Sequence, residues 1–358
     1  MDNLTFRISH LGYDVPTLVA ALESRDINVT QKSIARPKTK LILFSVPVGR
    51  FAARWLFRLN LTDRSVSCSG GVTKTFFGHN LWVFNNECDQ LCAITEIVSA
   101  RLAEIDGIAL PDSLLDAITV ERVELTNHFI LPPPWTHWDA IGQANSLFMV
   151  LFPKLHDPDG KTVDDPGTAS IGKNKSSKVC RVYDPCKKFK DRPVHVTPES
   201  WATLTSECAN HLRVEVMMMP RDVKRLKLEH VDAWQDTAKI ADYLAKKHKH
   251  FGLTVDYKAE AGALTPAAVK KTNPTFVEYA RYWFSDGERG TAPNKTSGSA
   301  NRFRQYMEER GFNINVPLKH HVHLTHGMHE FLDPALRADI PQEVRANKEL
   351  FGQWWNEK

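Results

Sequence analysis

The chain has 358 residues, 42% hydrophobic and 25% charged, with a formal net charge of +4. Those values describe an ordinary soluble protein with length for two domains and a well-buried core, and they exclude wholesale disorder. No window approaches the length of a membrane span and no apolar stretch follows a charged N-terminal region, so a cytoplasmic protein without a membrane partner is expected. Six cysteines, Cys68, Cys88, Cys92, Cys180, Cys186 and Cys208, are expected as free thiols, since no pair has the C-x-x-C spacing of a zinc site and nothing marks secretion.

In chain order, Lys40 to Val48 carries Leu41, Ile42, Leu43, Phe44 and Val46 and reads as a strand. Further strands are expected over Trp55 to Leu61 and Asn80 to Phe84, between Gly and Asp turn signals. Leu91, Ile94, Val98 and Leu102 fall at helical spacing and predict a helix from Glu87 to Ile105, with Cys88 and Cys92 on one face and Gly107 as its stop. A strand follows from Ala117 to Ile130, ended by Pro132-Pro133-Pro134, then a helix from Trp138 to Leu151. Beyond a polar loop at His156 to Gly167, short strands are predicted near Thr168 to Gly172 and Lys178 to Asp184. Thr197-Pro198-Glu199-Ser200 caps a helix through Leu204, and Leu212 to Met219 forms a strand that Pro220 closes. Arg221 to Lys247 reads as one long charged helix. Helical patterns recur at Thr275 to Phe284, Ala300 to Arg310 and Gln342 to Trp355. The expected fold is α+β: a mainly antiparallel central sheet flanked by helices, with residues 1–255 as one domain and 256–358 as a helical C-terminal region.

Three of these strands carry the same tripeptide pattern: Arg122-Val123-Glu124, Arg181-Val182-Tyr183 and Arg213-Val214-Glu215. Residues two apart share a face of a strand, so each pattern sets a guanidinium beside a carboxylate or a phenol with Val on the reverse. In the strand over Ala117 to Ile130, Arg122, Glu124, Thr126 and His128 form a polar row, while Val123, Leu125 and Phe129 face the other way. In a regular strand Glu121 points away from Glu124. A polar row of this kind can simply be the wet face of an antiparallel sheet, but the repeated spacing suits chemistry. A hard cation such as Mg²⁺ or Mn²⁺ needs one or two carboxylates, which Glu124 and Glu215 could supply. A phenol with its usual pKa near 10 needs cations, a base or a metal before it becomes a nucleophile, and Arg181, Lys178, Lys187 and Lys188 lie nearby in sequence.

Charge distribution says more than net charge. From Ile171 to Arg192 there are eight Lys or Arg against two acids, with Tyr183 in the middle. Such a run can be a solvated loop, but around a strand tyrosine it suits contact with a polyanion. Lys173, Lys175, Arg221, Lys224 and Arg225 are candidates for phosphate contact, with Lys178 and Lys188.

These residues resemble the replication initiators of filamentous phages, the gene II/X group of rolling-circle nicking and joining enzymes, with similar strand motifs in the trans-acting plasmid initiators. The resemblance spans Gly78-His79-Asn80 and the cysteine-containing helix after it, the three Arg-Val strands, the lysines after Tyr183, and a weaker match from Tyr279 to Gly311. It implies Tyr183 as the nucleophile and Glu124 and Glu215 as ligands of a divalent metal. Arg122, Arg181, Arg213 and Lys187 would assist. It further implies plus-strand origin DNA and host replication proteins as partners, copies of the chain assembling on DNA, and the cytoplasm of a bacterial host. The chain departs from the family where Tyr-x-Lys is common, having Tyr183-Asp184-Pro185-Cys186-Lys187 instead, which leaves the helper lysine open between Lys187 and Lys188.

Other readings compete. His321 and His323 would share one face of a strand and could bind metal, yet they follow Tyr183 rather than precede it, and an exposed cluster is the simpler account. Tyr279 and Tyr282 read as a packed helix face with Phe276. A non-catalytic origin-binding protein or repressor would need the lysines and arginines but has no use for carboxylates that repel phosphate.

Overall fold

The computed structural model describes residues 1–35, 38–79, 87–152, 168–172, 179–188, 196–254, 273–285 and 297–309, with shorter stretches between them and as far as 338. Strict alternation in Asn3-Leu4-Thr5-Phe6-Arg7-Ile8 makes the first strand, β1 (Asn3–Ile8), with Leu4, Phe6 and Ile8 buried. The short β2 (Gly12–Tyr13) and helix α1 (Val15–Ser24) lead to a meander of β3 (Thr30–Ala35), β4 (Lys38–Val48), β5 (Ala53–Asn60) and β6 (Ser65–Gly71). Helix α2 (Val72–Phe77) follows, then α3 (Glu87–Ala103), whose Leu91, Ile94, Val98 and Leu102 are all fully buried, as their spacing predicts. After β7 (Ile108–Ala109), which pairs with β2, and α4 (Leu114–Ala117) comes the long β8 (Ile118–Ile130).

The helix α5 (His137–Leu151) starts at a reciprocal capping box between Thr136 and Asp139. Beyond it lie β9 (Thr168–Ile171), β10 (Cys180–Tyr183), α6 (Pro185–Lys188), α7 (Pro198–Cys208) and β11 (His211–Met218). Thr197 caps α7 by accepting from the Ser200 amide at 3.2 Å, as its sequence predicts. The strands form one nine-stranded antiparallel sheet, in the order β3-β4-β5-β6-β1-β8-β11-β10-β9. The fold is α+β, as expected. Helix α3 packs over β4, and α5 runs across β9, β10 and β11.

The segment expected as one helix from Arg221 to Lys247 is instead three elements: α8 (Pro220–Arg225), a 3₁₀ turn (Val231–Gln235) and α9 (Thr237–His250). Lys227 takes a left-handed φ of 57°, which ends the first helix. Leu228, Val231 and Trp234 turn into the core, where the Trp234 indole donates to the Leu228 carbonyl at 2.8 Å. Asp236 then caps α9 through the Lys239 amide. Of the other expectations, the strand at Asn80 to Phe84, the loop at His156 to Gly167 and the helix at Gln342 to Trp355 lie largely or wholly outside the described residues.

A 3₁₀ turn (Pro274–Phe276) precedes α10 (Val277–Phe284), and α11 (Gly298–Glu308) follows. Phe303 meets Phe276 edge-on at 5.6 Å and Tyr279 at a tilt at 5.8 Å, so Tyr279 is a packing residue of this helical pair. The C-terminal region shares the apolar core of the sheet. Phe331 meets Trp135 edge-on at 5.4 Å, and the Ala338 amide donates to the His128 carbonyl of β8 at 2.8 Å. Among the described residues no helix is long and apolar enough to cross a membrane.

Asp222 ties α8 to α9. It accepts from the Tyr243 hydroxyl at 3.0 Å and pairs with Lys247 at 3.2 Å and Arg225 at 3.1 Å. Burial alone would raise its pKa, but Lys247, Tyr243 and Arg225 together hold it below 3.8. A depressed carboxylate stabilises the fold above its unfolded pKa and loses that contribution as pH falls through the folded value. Asp222→Ala should therefore cost about 1–3 kcal/mol near neutral pH. In urea melts the loss should shrink below about pH 3; a loss independent of pH would show that the charge is not what holds α8 and α9 together.

Candidate functional site

Antiparallel pairing turns two of the three repeated tripeptides toward one another. In the register of β10 on β11, Arg181 lies opposite Glu215 and Tyr183 opposite Arg213. Each guanidinium is thus brought to the other strand's acid or phenol. The third repeat is offset: Glu124 of β8 lies opposite Met217, diagonal to Glu215, which itself faces Thr126.

Arg181 Nη1 spans the offset, bonding Glu124 Oε1 and, at 3.2 Å, Glu215 Oε2. The Tyr183 hydroxyl donates to Glu215 Oε1. Arg213, completely buried, pairs with that same oxygen at 3.1 Å and with Asp2 Oδ2 at 2.9 Å. Asn3, at the start of β1, donates to Glu124 Oε2. Carboxylate oxygens of Asp2, Glu124 and Glu215 all lie within 4.8 Å of one another.

The polar row is not a wet face, contrary to what strand periodicity suggests. Tyr183 is 1% exposed, Glu124 2% and Glu215 4%, so other parts of the chain cover what alternation alone would leave open. Three buried carboxylates share two guanidinium groups, and their protons respond. Burial, then the neighbouring Glu215 and Asp2, push Glu124 up from 4.5 to about 7 against Arg181 and Asn3. Burial also raises Asp2, only partly opposed by Arg213. Glu215 is held below its usual value, because Arg213, Tyr183 and Arg181 together outweigh its burial. Burial drives the Tyr183 phenol well above 10, so it stands as a neutral donor to an ionised Glu215.

The donor set suits a hard divalent ion such as Mg²⁺ or Mn²⁺. Asp2 Oδ1 is buried and accepts no hydrogen bond among the described residues; the nearby Thr73 hydroxyl donates to the Met1 carbonyl at 3.1 Å instead. Asp2, Glu124 and Glu215 are the residues that could hold the ion, and Asp2 is the one the sequence reading missed. Its signal was the clean alternation over residues 3 to 8, which marks a strand beside β8.

The remaining candidates scatter. Arg122 does not join the network. It lines a groove of about 240 Å³ with Arg58, Thr5, Ser67, Ser69 and Glu121, one strand step along β8 from Glu124. Glu121 shares that face because the β1–β8 register shifts between Thr5 and Phe6, and it pairs with Arg7 at 3.3 Å rather than pointing away. Lys187 is exposed, and Lys188 is the lysine over the Tyr183 ring, its ammonium 4.6 Å from the centroid. Arg221 and Lys224 are exposed on α8, and Arg225 pairs with Asp222. Lys173, Lys175 and Lys178 lie outside the described residues, as do His320, His321 and His323.

Comparison with protein-family models, curated proteins and solved structures finds no match, so the reading of the site rests on its own geometry.

The raised Glu124 pKa carries a sign. A group whose folded pKa exceeds its unfolded value stabilises the fold below the unfolded pKa and loses that contribution as pH rises through the folded one. Glu124→Gln, which mimics the protonated acid, should gain stability relative to the parent chain between about pH 5 and about pH 8 in chelator, by a few kcal/mol. Added Mn²⁺ should restore the parent chain's stability and leave the variant unmoved. Parallel denaturation curves with no pH-dependent gap would exclude an excess of buried negative charge at this position.

Proposed function

We propose that the chain is a rolling-circle replication initiator, a site-specific nicking and joining enzyme that cuts one DNA strand through Tyr183. One observation carries the reading: three carboxylates converge beside a tyrosine that donates to one of them, between two buried or half-buried arginines. Phosphodiester transesterification asks for that set, a positioned nucleophile with a metal and cations near the non-bridging oxygens. A divalent ion held by Asp2, Glu124 and Glu215 would act as a Lewis acid on the phosphate.

The chain's own residues supply the rest. Tyr183 Oη attacks phosphorus as its proton passes to Glu215, to which it is already hydrogen-bonded. Arg213, with its guanidinium carbon 5.5 Å from the centroid of the Tyr183 ring, favours the developing phenolate. The bond from phosphorus to the 3′ oxygen breaks, and that oxygen takes up a proton equivalent to the one Tyr183 gave. The products are a 5′-phosphotyrosine and a free 3′-OH, and the reverse reaction joins the strand again. Tyr183 is only 1% exposed, with Lys188 over its ring, so the side chains that bury it must move before a strand reaches it.

The groove beside Glu124 supports the substrate class. Arg58 and Arg122 offer guanidinium groups among the hydroxyls of Thr5, Ser67 and Ser69, a lining that suits a sugar-phosphate backbone. Burial of Tyr183 favours the second reading, in which the same network is a structural ion cluster in an origin-binding protein or repressor.

Nicking of supercoiled origin plasmid separates the two. The parent chain should nick with Mg²⁺ or Mn²⁺ and stop in chelator, and a protein-DNA adduct should survive denaturation. Tyr183→Phe should remove the adduct while keeping DNA binding. An adduct that persists in Tyr183→Phe removes the nucleophile, and binding without nicking under any metal favours the repressor. Arg58→Ala and Arg122→Ala should each weaken single-strand binding and lower its salt slope by about 0.7. An unchanged slope would take the groove off the DNA path.

A further inference from the structure

A second cluster of ligating side chains lies at the other end of the same strands. His128 of β8, His211 of β11 and Cys208 at the end of α7 are all buried, with ligand atoms within 4.8 Å of one another. The two imidazoles meet edge-on, centroids 6.0 Å apart at 76°. Cys208 and His211 have C-x-x-H spacing across the turn from helix to strand, and His128 comes from a neighbouring strand 80 residues earlier in sequence. A further donor is at hand in Cys186 of α6, whose thiol donates to the Thr205 carbonyl at 3.4 Å and interacts with Cys208.

We infer that His128, Cys208 and His211, with Cys186 in the fourth position, form a metal site for Zn²⁺ or a similarly soft divalent ion, separate from the carboxylate cluster. Thiolate and imidazole donors select such ions, whereas the all-oxygen set of Asp2, Glu124 and Glu215 selects hard ones. Zinc sits at about 2.1 Å from nitrogen and about 2.3 Å from sulfur, so occupancy would draw these side chains in by about 1 Å. Each coordinating thiol gives its proton to solvent as it binds.

The site has a mechanical consequence. Cys186 follows Tyr183 by three residues, and His211 precedes Arg213 by two on the same strand face. The His137 ring, at the start of α5, also donates to the His211 carbonyl at 3.0 Å. A metal there joins α6, α7, β8 and β11, and so fixes where the Tyr183 ring and the Arg213 guanidinium stand, whatever chemistry those two residues perform.

The test uses the untagged full chain, reduced, stripped with chelator and titrated with Co²⁺ as a spectroscopic probe. One Co²⁺ per chain should bind with thiolate-to-metal absorption and tetrahedral visible bands, and Zn²⁺ should bleach both. Cys208→Ser should remove at least half of that absorption, one thiolate of two, and weaken Zn²⁺ binding by more than the roughly 100-fold that losing an outer partner of a ligand can cost. Cys186→Ser should keep roughly half of the absorption, one thiolate of two. Glu124→Gln combined with Glu215→Gln should leave the signal intact, which keeps this site distinct from the carboxylates. Should Cys208→Ser fail to fold, the parent chain alone decides: its melting temperature rises with Zn²⁺. Absent thiolate absorption in the parent chain overturns the site, as does a Cys186–Cys208 disulfide whose reduction yields no zinc binding; unchanged absorption in Cys186→Ser removes Cys186 from the set.

Discussion

Burying charge is what the centre of this sheet must solve. Asp2, Glu124 and Glu215 are withdrawn from water, and Arg213 is withdrawn completely. An ion placed alone there would cost several kcal/mol, so every carboxylate has to find a guanidinium or a proton. Arg213 serves Asp2 and Glu215, Arg181 serves Glu215 and Glu124, and Asn3 completes Glu124. The pairing fixes register as firmly as the apolar pattern does. A one-residue slip of β11 would send Arg213 and Glu215 into the face that holds Leu212, Val214 and Val216, and would break the Arg213–Asp2 and Arg181–Glu215 pairs. Four strands, β1, β8, β11 and β10, are therefore locked side by side by the same few atoms that form the candidate site.

That solution is incomplete, and the shortfall has chemical meaning. Burial, with three carboxylates set against two guanidinium groups, pushes Glu124 up to about 7 and raises Asp2 as well. Natural cores seldom retain such an excess without use for it, because a hydrophobic replacement of the whole cluster would be as stable or more so. A divalent cation would remove the excess. The same site holds Tyr183 neutral and buried.

Much of this was legible in the amino-acid sequence. The α+β class, helix α3, the capped helices α5 and α7, and strands β8, β10 and β11 followed from periodicity and capping residues, and the Arg-x-Glu and Arg-x-Tyr repeats picked out Glu124, Glu215, Arg181, Arg213 and Tyr183. What was not legible depends on distant parts of the chain. Strand alternation says which residues share a face but not what covers it, so the polar row read as wet. A bulge opposite Thr5 and Phe6 turned Glu121 onto the face of Arg7 and Arg122, and nothing local to Glu121 announces it. The charged run after Pro220 has helical composition throughout. It breaks because Leu228, Val231 and Trp234 gain more by entering the core than by continuing a solvated helix.

The lysine beside Tyr183 illustrates how a short spacing depends on backbone path. In an extended Tyr-x-Lys segment the lysine lies on the tyrosine's face because residues two apart share it. Here Asp184 accepts from the Cys186 and Lys187 amides at 2.9 and 3.0 Å, and Pro185 opens a single helical turn directly after the strand. That turn carries Lys187 outward and brings Lys188, five residues on, back over the phenol ring. The Asp-Pro that follows the tyrosine thus brings a cation over the phenol ring by a folded route.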